Sequence, residues 1–357
     1  MKRLPVAVTL LSVLSACPGP DPEPTFEPWT LEDLTAQQGL SVRVPEFEVP
    51  SGAETQDCYF FQMPDLNNGQ PYWVNRFHTA INPGSHHLNV FRVNTVKGLD
   101  PAKGTPIKIG NLDGTVVVGK EASSECWKSP NWSDWPLVAN SQNSNPENPY
   151  TDWTLPTNVA TKFAPGEWLM LQTHYVNATT QSAPFKGKVG VNFHLYQGAD
   201  PIELGTLFAT QQSLRICRSN PTPTYTGTCK FPPGTVTITA ANGHFHSRGK
   251  SFEVFTWDGV TDTQPAEAAK FYVSDRWDEP PMSTGMNISS PEGGGIWWNC
   301  NYQWVEPPVG CDAVNARDPQ KAGDCCYTFG GIVETSEHCN VFLYYYPKVA
   351  REEIFCN

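Results

Sequence analysis

Charge is sparse in this chain, and histidine and methionine are sparser still. Charged residues fill 17% of 357 positions, acidic side chains outnumber basic ones by 36 to 24, and the formal net charge is −12. That balance leaves no basic patch on which nucleic acid could condense; the acidic excess serves solubility. Beyond the first residues no apolar stretch is long enough for a transmembrane helix. No C-x-x-C pair is present to suggest a thiolate metal or redox motif, and no G-x-S-x-G elbow exists. Gly293-Gly294-Gly295 lacks the lysine and helix of a phosphate loop and reads as a turn. A sustained 3.6-residue apolar period is missing too, because 33 prolines and 28 glycines cut the chain into short segments. Helical bundles are thereby excluded.

What remains between the breaks is strand-like. In Val189-Gly190-Val191-Asn192-Phe193-His194-Leu195 every second residue is apolar, and Trp168 to Val176, Thr235 to Ala241, Ser251 to Trp257 and Val341 to Tyr346 are rich in aromatic and β-branched residues. Many short strands between turns predict an all-β protein of two tandem antiparallel β-sandwich, jelly-roll-like domains. Most of the twelve tryptophans are expected in sandwich cores.

The first residues read as an export signal. Lys2 and Arg3 precede a short apolar run from Leu4 to Leu14, and Leu14-Ser15-Ala16-Cys17 has the form of a bacterial lipobox, in which the cysteine becomes the lipidated N-terminus. Residues 1–16 are therefore expected to be a signal peptide and 17–45 a lipidated Cys17 followed by a Pro-rich tether. Domains are expected at 46–200 and 201–357, with Asn140 to Pro149 a surface loop of the first. About 340 residues after cleavage are enough for two ordinary domains. The expected location is the cell envelope, with the lipid anchor as the sole membrane contact. Ten cysteines remain once Cys17 is set aside, an even number that suggests disulfides in an exported chain.

The histidines carry the chemistry. Of only eight, five fall as His86-His87, His174 and His244-x-His246. On a strand, H-x-H puts both imidazoles on one face, so two nitrogen ligands can close on one ion. Adjacent His86 and His87 would point to opposite faces of a regular strand; sharing an ion requires a bulge or strand end, which Pro83-Gly84-Ser85 could supply. His174 ends the Trp168-to-His174 run on the same face as Gln172 and Met170. An imidazole-dominated site suits copper, zinc, nickel or iron. His78 and His194 are expected to be ordinary side chains, and Asp275, Asp278 and Glu279 a solvated loop.

Three blocks, Gly84-Ser85-His86-His87-Leu88-Asn89-Val90-Phe91, Leu171-Gln172-Thr173-His174-Tyr175 and Gly243-His244-Phe245-His246-Ser247-Arg248-Gly249-Lys250, stand in the order found in the type II copper, ascorbate-dependent monooxygenases. Over Asp57 to Cys356 the chain resembles that family, which includes the peptidylglycine α-hydroxylating and dopamine β types. The resemblance implies two copper ions per chain, a small-molecule substrate whose C–H bond is hydroxylated with dioxygen, and ascorbate or another one-electron reductant. It implies His86, His87 and His174 around an electron-transfer copper, and His244 and His246 on an oxygen-activating one. The family's third ligand there is a methionine; here Thr335-Ser336-Glu337-His338-Cys339-Asn340 puts His338 in its place. Imidazole is a harder donor than a thioether and would favour the oxidised ion or admit zinc. Met282 and Met286 are secondary sulfur candidates. The family's peptide-carboxylate anchors correspond to Asn242, Phe342 and Asn340, without a guanidinium, so peptide amidation is not expected. The resemblance further implies the disulfides Cys300–Cys339 and Cys229–Cys356. Cys58, Cys126, Cys217, Cys311, Cys325 and Cys326 are left without assigned partners. Alternatives are an envelope lipoprotein that holds or passes copper without turnover, and a structural sandwich whose histidines hold zinc or nothing.

Overall fold

The computed structural model describes residues 29–93, 105–109, 112–118, 135–143, 145, 147–177, 185–320, 323–351 and 353–357. The signal segment, Cys17 and Cys126 lie outside these residues. The chain is nearly all β, as the strand pattern predicts. Trp168–Val176 is a strand with the predicted bounds, and the other predicted strands fall inside or within three residues of Phe185–Leu195, Val236–His244, Gly249–Trp257 and Asn340–Tyr346. Alternation explains the match: in Phe185–Leu195, Val189, Val191 and Phe193 are fully buried while His194 lies partly exposed on the other face.

Among the described residues the expected pair of sandwiches gives way to five sheets, arranged as a propeller-like ring. The third sheet explains why two independent cores do not form. Along Asn340–Tyr346, Val341, Leu343 and Tyr345 enter one buried cluster, whereas Phe342 and Tyr344 enter another. Its neighbouring strand Gly205–Thr210 divides likewise, Leu207 and Ala209 against Phe208. An antiparallel sheet with one wetted face would pair with a single partner layer; this one is apolar on both faces and so belongs to both cores. Trp153 against Tyr344, ring centroids 4.5 Å apart, makes a contact from the first sheet.

Two further segments depart from expectation. Residues 29–45, expected in the tether, are packed on the fold: Trp29 and Leu34 are buried, the Lys188 ammonium sits 4.2 Å from the Trp29 ring centroid, and a strand runs from Gly39 to Val49. The Asn140-to-Pro149 segment is not wholly a surface loop. Asn140 and Ser141 end the strand Leu137–Ser141, and these two and Gln142 are buried. Gly293 takes a positive φ of 82° in the turn before Gly295–Tyr302, and Asp278 and Glu279 pair with the exposed Arg276, both as expected.

Four disulfides join Cys217–Cys326, Cys229–Cys356, Cys300–Cys339 and Cys311–Cys325, and Cys58 is disulfide-bonded as well. Both pairings implied by the resemblance are thus formed. Cross-links in this number mark an extracytoplasmic protein. Among the described residues no helix is long and apolar enough to cross a membrane.

Candidate metal centre

Three pairs of neighbouring strands deliver the histidines to one seam. Ser85–Arg92 lies beside Trp168–Val176 in the second sheet, with His87 opposite His174. The next pair in the ladder is Ser85 with Tyr175, so His86 is the extra residue of a bulge. Gly84, at φ 87°, makes the turn that admits it. This is the break that adjacent histidines need to reach one site. In the third sheet His244 ends Val236–His244 opposite Asn340, and His246 follows just beyond the strand. Phe245 between them enters the core against Phe252, as alternation requires. His338 directly follows Ser336–Glu337, which pairs with Cys326–Phe329.

All six imidazoles are buried, and they form one cluster. The His86 ring centroid lies 5.4 Å from that of His87, 5.0 Å from His174, 4.8 Å from His244 and 5.3 Å from His246. His338 lies 5.1 Å from His244 and 4.5 Å from His246. The expectation of two separate trios therefore needs amendment, because His86 adjoins both. Ligand atoms lie within 4.8 Å of one another in the set His86, His87, His174 and again in His86, His244, His246. A third set, Cys217, Asp324 and Cys326, has its two cysteines joined as a disulfide and offers no thiolate. His78 and His194 stand apart on the first sheet, Met282 packs on one core and Met286 on the other.

Hydrogen bonds fix which nitrogen carries the proton in His174, His244 and His246. His174 donates through Nε2 to Glu54 Oε1 at 2.7 Å, and His246 donates through Nδ1 to the Ser336 carbonyl at 2.9 Å. Both partners can only accept, which sets the tautomer. The Nδ1 of His244 meets Gln142 Oε1 at 3.0 Å. Gln142 donates its amide to Asn242 Oδ1, and Asn242 donates to the carbonyls of Pro280 and Pro281, each at 3.2 Å. That chain orients both amides and makes His244 Nδ1 a donor. His87 Nε2 contacts Gln172 Oε1 at 3.0 Å, and Asn89 donates to the same oxygen. On the far side of the rings, Nε2 of His86, His244 and His246 and Nδ1 of His338 are buried with no hydrogen-bond partner among the described residues.

Burial, reinforced by the neighbouring imidazoles, holds His86, His87, His244 and His246 well below the ordinary histidine pKa, and brings His338 down to about 3. Neutral rings with orphaned buried nitrogens are poised as ligands, since imidazole must be deprotonated to bind a metal and an unsatisfied buried nitrogen is costly. The donor set fits a borderline transition metal such as copper or zinc.

A second layer braces this cluster. Glu337 accepts backbone N–H bonds from His246 at 2.8 Å and Arg248 at 2.9 Å and pairs with the Arg248 side chain at 2.7 Å. Arg248 also donates to the carbonyls of Val333 and Ser336 and lies 4.3 Å over the Tyr327 ring. Burial raises the Glu337 carboxyl against the pull of Arg248. Glu54, from Glu54–Gln62, accepts from His174 and also from the Val333 N–H at 3.1 Å, tying the first trio to the loop before His338. Sequence reading missed Glu54 and Gln142; nothing local marks either. Of the expected substrate-anchor positions, Asn242 is committed to the amide chain, Phe342 stacks on Phe208 at 5.0 Å, and Asn340 is buried beside His87, His244 and His338.

No protein-family model matches this chain, and no curated protein matches it. Among solved structures, the crystal structure of PBSX exported protein XepA is similar at 6% identity over 76% of this chain and 89% of that one, with a TM-score of 0.23. A likeness of that order carries no argument about fold or function.

Proposed function

We propose that this protein is a copper-binding oxidoreductase of the monooxygenase kind, hydroxylating a C–H bond of a small molecule with dioxygen and an external one-electron reductant such as ascorbate. One observation carries the reading: six buried imidazoles from distant segments converge, and a ring nitrogen of His86, of His244, of His246 and of His338 meets no described protein group. Bound copper would supply one-electron redox chemistry and a site for dioxygen. The protein's own contribution is to hold the ligands. His87 and His174 would offer Nδ1, since Gln172 and Glu54 engage Nε2. His244 and His246 would offer Nε2, with Gln142 and Ser336 fixing the opposite nitrogen. Burial disfavours the charged form of His86, His87, His244, His246 and His338. Anchoring to the envelope through Cys17 belongs to the same proposal.

The test is metal analysis of protein matured in the envelope, followed by oxygen uptake with ascorbate and candidate substrates. Tightly bound copper and substrate-dependent oxygen consumption with a hydroxylated product are expected. Protein without copper, or oxygen uptake independent of every substrate, would overturn it.

A second reading, a copper-holding lipoprotein without turnover, is favoured by the substrate side. Asn242 is saturated by Gln142, Pro280 and Pro281, and the nearby guanidinium of Arg248 is taken by Glu337 and two carbonyls. Among the described residues, neither of these two groups is left to seize an anionic substrate. Copper uptake with fully reversible redox titration and no product under any substrate would select this reading.

A further inference from the structure

We infer that His86 is a ligand common to both histidine sets, offering one ring nitrogen to each of two transition-metal ions, so that the seam holds one coupled two-ion site. The inference rests on the copper reading above and changes its architecture. His86 is the one residue present in both sets whose ligand atoms lie within 4.8 Å, His86–His87–His174 and His86–His244–His246. Its place in the second set is the one that sequence reasoning gives to His338.

Hydrogen bonding separates His86 from the four rings around it. His87, His174, His244 and His246 each commit one nitrogen to a fixed acceptor, namely Gln172, Glu54, Gln142 and the Ser336 carbonyl. Each can therefore give a single nitrogen to an ion and is a terminal ligand. The His86 ring makes no hydrogen bond to any described residue, and its Nε2 is buried without a partner. Imidazole has two ring nitrogens on opposite sides, and a ring that commits neither can serve two ions, its ring proton leaving to solvent as the second binds. The backbone supplies the reach: the bulge between the His87–His174 and Ser85–Tyr175 pairs takes His86 out of the ladder, and its ring sits centrally, 5.0 Å from His174 and 4.8 Å from His244.

The experiment titrates the full mature protein with Cu(II) alone, following binding calorimetrically and counting spins by electron paramagnetic resonance. At two ions per chain, the expected signal integrates to well under two isolated spins, because a shared imidazole couples the ions. His86→Ala should restore two full spins and weaken both ions by about tenfold or more, whereas His87→Ala, in one set only, should weaken a single ion. Circular dichroism checks that each variant is folded, and the wild-type spin count decides even if a variant is not. Two full, non-interacting spins in the wild type, or a folded His86→Ala protein that loses affinity for one ion only, would overturn the shared ligand while leaving copper binding intact. Failure to bind Cu(II) at all would overturn both.

Discussion

The two groups of histidines, His87 and His174 against His244, His246 and His338, are braced in different ways. At His87 and His174 the groups that touch the rings are polar: Gln172, itself bonded by Asn89, and Glu54 hold rings that rise from the interior of a six-stranded sheet. Around His244, His246 and His338 the sheets are smaller and the support is covalent and ionic. Cys300–Cys339 lies next to His338, Cys217–Cys326 and Cys311–Cys325 clamp the short sheet that precedes it, and the buried Glu337–Arg248 pair sits beneath. A wide sheet positions its own side chains through the ladder. A two-residue strand such as Ser336–Glu337 cannot, and cross-links substitute for the missing neighbours.

Acid should produce the largest effect and should act on both regions together. Five rings have their pKa lowered by burial, so between the ordinary value near 6.5 and the value of about 3 for His338 the unfolded chain binds protons that the folded chain refuses. Stability of the metal-free protein is then fully present above about pH 6.5 and falls as pH drops, by about 1.4 kcal/mol per pH unit for each such histidine. Urea midpoints measured at pH 7, 6 and 5 should decline steeply; a flat profile would mean that the rings are not buried as neutral groups.

Next comes the ionic brace. Glu337→Ala leaves Arg248 buried without its carboxylate, and a cost of about 3–5 kcal/mol is expected in denaturant titrations. A loss below about 1 kcal/mol would show that the pair lies open to water. The disulfide sharpens the comparison. Replacing Cys300 and Cys339 by alanine should cost about 2–5 kcal/mol and weaken metal binding at His244 and His246. Binding at His87 and His174 should hold within about twofold, far less than the tenfold that loss of a bracing group costs a site. Equal damage to both regions would erase the distinction between covalent and polar support.

The smallest effect contrasts the two glutamines. Gln142→Leu removes the acceptor of His244, Gln172→Leu that of His87, and each should lower metal affinity about 10–100-fold at its own set. Calorimetry on both variants checks this; an effect that follows neither set would mean that the amides do not orient the rings.

Much of this was legible in advance because it is local. The strand Trp168–Val176, the shared face of His244 and His246, and the bulge demanded by His86-His87 all follow from the two-residue period of a strand. The Cys300–Cys339 and Cys229–Cys356 pairings came instead through family resemblance. Gln142 went unread because its Asn- and Pro-rich surroundings look like an exposed loop, and its partner His244 lies 102 residues away. Glu54 is 120 residues from His174 and carries no motif.

By itself, the sequence determined the strands, the facing of their side chains, and a set of histidines fit to bind a metal. Only the tertiary structure decided that the third sheet is apolar toward two cores at once, so that five sheets form in place of two closed sandwiches. It alone decided that His86 adjoins both histidine sets. The physical reason is range: backbone period fixes which way a side chain points, whereas which distant side chain it meets depends on how whole sheets pack, and that is set by apolar area summed over the chain.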